Sequence, residues 1–275
     1  MRIALCNEVL APLPFARQCE VAAALGYQGL EVAPFTLGEM PQHLSAVRRT
    51  GLRRAAQDAG IAVSGLHWLL RQPADLSITS PDAAVRARTL DTMRRQIELC
   101  ADLGGSVLVH GSPAQRRLPP GGEAAARQRG IEAFAAVAAH AQAAGVTYCI
   151  EPLAPPEADF IHTVAEAAAI VQAIGQPGLR TMLDCCAAAR AEAEPVPAVL
   201  ARWLPTGLLA HVQVNDPNLR GPGQGSLGFA AILRMLRQHG YAGWVAVEPF
   251  DYHPDGPAAA ARAIGYLHGL LEALD

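Results

Sequence analysis

Four places in the second half of the chain set an acid or an imidazole against a run of apolar residues. Glu151 follows Tyr148–Cys149–Ile150, and Asp184 follows Met182–Leu183. His211 sits within Leu209–Asn215, and Glu248 follows Val245–Ala246–Val247. An unpaired carboxylate in such company is costly to desolvate. Carboxylates crowded together raise one another's pKa unless a cation neutralises them. A divalent metal ion does so, and one histidine with three carboxylates suits a borderline-hard ion such as manganese, magnesium or cobalt; zinc is less favoured by so oxygen-rich a set. Taken singly, each residue has a plainer reading as a solvated charge or a helix-cap partner. The joint pattern on successive apolar runs is what points to a site for one divalent metal held by Glu151, Asp184, His211 and Glu248.

Such a site needs a scaffold that brings four distant runs to one place. The chain alternates short aliphatic or β-branched runs with longer Ala-rich stretches. Strands are predicted over Ile3–Asn7, Gly29–Val32, Ala62–Leu66, Ser106–His110, Thr147–Glu151, Arg180–Asp184, Leu209–Asn215 and Trp244–Glu248. Helices are predicted over Pro14–Leu25, Leu44–Ala59, Pro81–Leu103, Ala124–Ala144, Thr163–Ile174, Phe229–Gln238 and Ala258–Leu274. Gly26, Gly60, Gly104, Gly145 and Gly240 stand where a helix must stop before the next strand, as a left-handed C-terminal cap requires. Regular strand–helix alternation favours a parallel sheet. Eight units over 275 residues favour its closed form, an α/β fold with a single (β/α)₈ TIM barrel as one domain over 1–275. The runner-up is an open doubly wound sheet, but no GxGxxG turn follows the first strand. In a parallel barrel the C-terminal strand ends converge on one mouth, which is where the four residues fall.

The composition, 51% hydrophobic and 17% charged, supplies a sizeable core and gives no sign of disorder. A net charge of −3 predicts no bulk attraction to nucleic acid or to anionic membranes. No run approaches the length of a membrane span. Met1 leads straight into Ile3–Cys6 without the pattern of a secretory signal. The six cysteines are scattered, with no CxxC pair, so free buried thiols in a cytoplasmic protein are expected rather than disulfides or a cysteine zinc site.

Several motifs give the chain a family likeness. Cys149-Ile-Glu-Pro152, Met182-Leu-Asp184, the segments His211–Asp216 and Gly221–Gly225, and above all Gly240–Pro249 resemble the xylose-isomerase-like TIM barrels; Gly26–Glu31 fits their second strand. That superfamily includes sugar isomerases, ketose 3-epimerases, inosose dehydratases and apurinic endonucleases. The likeness implies that Glu151 and Glu248 both hold the metal and move protons, with Asp184 and His211 as the remaining ligands. It implies that Glu157 hydrogen-bonds the first glutamate, and that the chain forms a dimer or tetramer.

The likeness also has gaps. A nuclease needs a histidine three positions after the strand-six aspartate, which here is Ala187, and an Asp-x-His after strand seven, where the chain has Gly221–Gly225. His67 and His110 match nuclease zinc positions but cannot complete a three-metal site alone. They are read as substrate-contacting residues, with a structural role as the alternative. Ketose 3-epimerases also place a substrate-binding histidine at the Ala187 position and an arginine at the position of Pro217, so Arg220 is the nearby candidate. Trp68 and Phe250 are candidates for apolar walls, or for core packing. The expected activity is a metal-dependent sugar or sugar-phosphate isomerase or epimerase, working on a small polyhydroxy carbonyl compound through an enediolate with the two glutamates as acid and base. The alternatives are a dehydratase of the inosose or dehydroshikimate type and a non-catalytic sugar-binding barrel.

Overall fold

Each of the eight apolar runs forms a strand. In the computed structural model, which describes residues 1–274, these are β1 (Arg2–Cys6), β2 (Gly29–Val32), β3 (Ala62–Leu66), β4 (Val107–His110), β5 (Thr147–Ile150), β6 (Leu179–Asp184), β7 (Leu209–Val214) and β8 (Trp244–Val247). Neighbours pair in parallel and in chain order, and β8 returns to β1, so the sheet closes into the expected (β/α)₈ barrel. Around it lie α1 (Phe15–Leu25), α2 (Ala46–Asp58), α3 (Ala83–Leu103), α4 (Glu123–Ala143), α5 (Val164–Ile174), α6 (Cys185–Ala191), α7 (Val196–Trp203), α8 (Phe229–Gln238) and α9 (Gly256–Glu272).

Two differences from the sequence reading bear on the site. Strands β5 and β8 end one residue early, so Glu151 and Glu248 open the loops that follow. Both stay tied to the ladder, because the Glu151 N–H donates to the His110 carbonyl (3.2 Å) and the Glu248 N–H to that of Val214 (3.3 Å). The second difference is the pair α6–α7, where no helix was expected. Its Ala-rich first half has no apolar periodicity to read, and the helix starts because Asp184 caps it.

The barrel has two apolar regions. Outward strand residues pack under the helices; α8, for instance, buries Phe229, Ile232, Leu233 and Leu236, the i, i+3, i+4, i+7 stripe of an amphipathic helix. Burial of each such side chain stabilises by about 1.5–3 kcal/mol. The alternate faces of β4–β6 set Val107, Val109, Cys149 and Met182 against one another in a separate cluster. All six cysteines are buried and free, in keeping with the sequence. No helix among the described residues is long and apolar enough to cross a membrane.

The β3–β4 junction is the tightest point of the ladder. A Cβ at Gly65 would overlap the Val107 carbonyl oxygen, which is backbone and cannot give way. Gly65→Ala is therefore expected to destabilise the barrel by about 1–3 kcal/mol. A lowered denaturant midpoint measures it; an unchanged midpoint would show that the strands can separate without cost.

Candidate active site

Three of the four sequence-derived ligands meet at the C-terminal mouth. Carboxylate oxygens of Glu151, Asp184 and Glu248 lie within 4.8 Å of one another, and all three residues are buried. Each is held differently. Glu151 occupies space that only a glycine leaves open, since a Cβ at Gly111 would overlap its Oε2. The fully buried Arg116 donates from Nη1 to the Glu151 carbonyl oxygen (2.7 Å). Asp184 accepts the Ala187 N–H on Oδ1 and the Asn215 amide on Oδ2, both at 2.7 Å. Asn215 also donates to the Glu248 carbonyl oxygen (3.1 Å) and accepts the Cys186 N–H (2.8 Å). It joins two of the three acids, a role that its motif gave no reason to assign. Glu248 Oε1 lies 2.9 Å from His67 Nδ1.

The electrostatics follow from this crowding. Burial is the largest influence on all three acids. It raises Glu151 well above the ordinary carboxylate range, with Glu248 and Asp184 adding to the rise. Glu248 is pushed up to about 8 despite the opposing effect of His67. Asp184 rises to about 6, restrained by its hydrogen bonds from Ala187 and Asn215. Burial disfavours charge on His67, but Cys6, Glu8 and Glu248 around it outweigh that and raise it well above an ordinary histidine.

His211 does not join the three acids. Its Nε2 lies 2.7 Å from Oε2 of Glu31, a fully buried acid on β2. The β6–β7 register slips by one residue at Thr181/Met182, so His211 pairs with Met182, and Gln213 pairs with Asp184. Burial acts to raise Glu31, yet the charge of His211 beside it wins and holds it below the ordinary range; Gln213 Nε2 adds a bond to Glu31 Oε1 (2.7 Å). Gln213 is fully buried at the level of Asp184, and its Oε1 has no hydrogen-bond partner. The three carboxylates are an all-oxygen set that fits a hard divalent cation.

The expected substrate contacts also fall differently. Both nitrogens of His67 face carboxylates, Nδ1 towards Glu248 and Nε2 towards Glu8 Oε2 (3.1 Å), which leaves neither for a hydroxyl. His110 is buried, with Nδ1 2.7 Å from the Tyr148 hydroxyl, and burial together with Arg116 lowers it to about 3. It does not line the cavity above the acids, nor does Arg220, whose Nε pairs with Asp251 (2.8 Å). Glu157 does line the cavity but pairs with Arg190 (2.8 Å) rather than with Glu151. The cavity measures about 430 Å³, with Glu151, Glu248 and His67 in its lining and Trp68, Leu153 and Phe250 among its walls.

His211→Leu strands a buried acid, so it is expected to cost about 3–5 kcal/mol of stability while Mn²⁺ still binds the three carboxylates. Denaturant unfolding and calorimetric titration with Mn²⁺ read the two effects; retained stability with lost binding would make His211 a ligand instead.

Comparison with known proteins agrees with this architecture. The chain is 29% identical over 241 residues to a D-psicose 3-epimerase of Agrobacterium fabrum, covering 86% of this chain and 79% of the relative. It is 30% identical over 205 residues to an L-ribulose 3-epimerase of Mesorhizobium japonicum, covering 73% and 66%. A crystal structure of D-psicose 3-epimerase in the presence of D-fructose superposes with a TM-score of 0.84 at 23% identity, covering 98% of this chain and 99% of the other. The family profile described as xylose isomerase-like TIM barrel matches residues 19–270, so the chain belongs to that family.

Proposed function

We propose that this protein is a divalent-metal-dependent sugar epimerase or isomerase that moves a proton at the carbon beside a carbonyl. The carrying observation is the cluster of Glu151, Asp184 and Glu248, three buried acids from three strand ends within 4.8 Å of one another, all held above their ordinary pKa. The relatives named as 3-epimerases support the reaction class. Glu151, Asp184 and Glu248 are the groups that would hold the metal, with His211 Nδ1 as the further donor that the sequence pattern implies. When bound, the metal supplies charge neutralisation and polarises the substrate carbonyl.

The protein's own part is proton transfer. Glu151 and Glu248 stand at the ends of β5 and β8, so they reach a substrate between them from two sides. One, ionised, removes the C–H proton; the electron pair left behind moves onto the carbonyl oxygen, giving an enediolate. The other, protonated, returns a proton to the opposite face, which inverts the carbon. Their neighbours differ, Glu248 facing His67 and Glu151 facing Arg116, as unequal roles require. Asn215 and Gly111 fix the two ends of this arrangement.

Glu151→Gln or Glu248→Gln is expected to lower solvent-deuterium incorporation into a ketose substrate by about 10²- to 10⁴-fold with the fold intact. Undiminished exchange in both variants would remove the acid–base assignment. A second expectation concerns pH. The folded pKa values of these acids are raised, so the metal-free protein is most stable below their unfolded values, near 4 to 4.5, and loses stability as pH rises through about 6 and about 8. A bound cation removes that penalty. The rise in melting temperature given by Mn²⁺ is thus expected to grow from about pH 5 to about pH 8; a constant increment would contradict it.

A further inference from the structure

The cavity above the acids is made for more than a free sugar. Its charged lining consists of Arg117 and His67 against Glu151, Glu157 and Glu248; Arg117 is already tied to Asp159 (3.0 Å), and His67 to Glu248 and Glu8. The neighbouring Arg190 and Arg220 are committed to Glu157 and Asp251. Among the described lining residues, then, no uncommitted cation remains for a phosphate or carboxylate group. Arg71 does not line the cavity; its guanidinium stacks over Phe35 (4.5 Å) and Trp68 (5.1 Å).

Away from the acids the walls turn apolar. Leu153 packs with Ala158 and Ala187, and Trp68, Leu219 and Phe250 complete that part of the lining. Phe250 and Leu219 are 42% and 37% exposed, which makes them two of only four large hydrophobic residues exposed among the described residues. Uncovered apolar surface around one opening marks a place where something apolar binds. The backbone is bent to present it. Trp68 (φ 54°), Ser112 (φ 39°) and Leu219 (φ 69°) all take the left-handed conformation that side chains disfavour, and all three line this cavity. Edge contacts hold the Trp68 ring between Phe35 (6.4 Å) and Phe250 (6.3 Å). A cavity of about 430 Å³ falls in the range that encloses drug-sized ligands, and a bare sugar on the acids would leave these rings uncovered.

We infer that the substrate is an unphosphorylated keto sugar carrying a bulky apolar or aromatic substituent, with the sugar on the acids and the substituent among Trp68, Leu219 and Phe250. This rests on the proton-transfer function proposed above and adds the identity of the group attached to the sugar.

The test uses the Mn²⁺-loaded protein and three matched probes: 3-keto-D-glucose, its phenyl β-glycoside and its 6-phosphate. Solvent-deuterium incorporation should give kcat/KM for the phenyl glycoside about tenfold or more above the free sugar, with the phosphate lowest. Trp68→Ala, and Phe250→Ala at a half-exposed position that the fold tolerates, should bring the first ratio towards one. Equal rates, a preference for the phosphate, or a ratio that neither variant changes would overturn the inference. If no probe exchanges deuterium, the proton-transfer reading is what fails. Calorimetric binding then decides the substituent separately: tighter binding of the phenyl glycoside by about tenfold upholds it, and equal binding overturns it.

Discussion

Removing carboxylates from water is the constraint around which this barrel is organised. Glu31, Glu151, Asp184 and Glu248 are all buried, and each needs compensation that its own strand cannot supply. Glu31 obtains it from His211 and Gln213, across the barrel interior. Asp184 obtains it from the start of α6, where a helix N-terminus favours negative charge, and from Asn215. Glu248 has His67. Glu151 has the least, a buried guanidinium that bonds to its backbone rather than its carboxylate, and its pKa is strongly raised. Glu31 is held below the ordinary carboxylate range, whereas the three acids at the mouth are held above it and are left with an unmet demand for positive charge.

The fold was legible because its signals are local. An apolar run, a glycine stop and an amphipathic stretch each declare themselves within a few residues, and eight repetitions leave few topologies. Acids directly after apolar runs marked Glu151, Asp184 and Glu248 for the same reason. The partners of the β7 residues were not legible. His211, Gln213 and Asn215 share one face of the strand by its two-residue period, and only depth assigns each a partner. Depth is set by the register slip against β6, which no residue type announces. The partner of His211 is Glu31, 180 positions away, and Glu31 carried no chemical signal of its own. His67 escaped in a similar way: its two nitrogens face Glu8 and Glu248, from opposite ends of the chain.

The departures from the family pattern fit together when placed in space. Ala187, where the epimerases are expected to carry a substrate-binding histidine, gives its N–H to Asp184 and its methyl to an apolar cluster with Leu153 and Ala158. Arg220, the stand-in for a second missing contact, turns to Asp251. Both departures thus leave the acid cluster itself untouched: one residue turns to an apolar cluster, the other to a surface acid.

Helix α6 has a consequence of another kind. Its seven residues give it little hydrogen bonding of its own, so its two ends largely decide whether it forms. One end is Asp184, inside the acid cluster; near the other, Arg190 reaches Glu157 on the cavity lining and the Pro217 carbonyl in the loop after β7. The helix is thereby a short strut between the acid cluster and the rim of the cavity. Whatever loosens its grip on Asp184 also frees Arg190, so the order of two surface loops is mechanically linked to the state of one carboxylate beneath them.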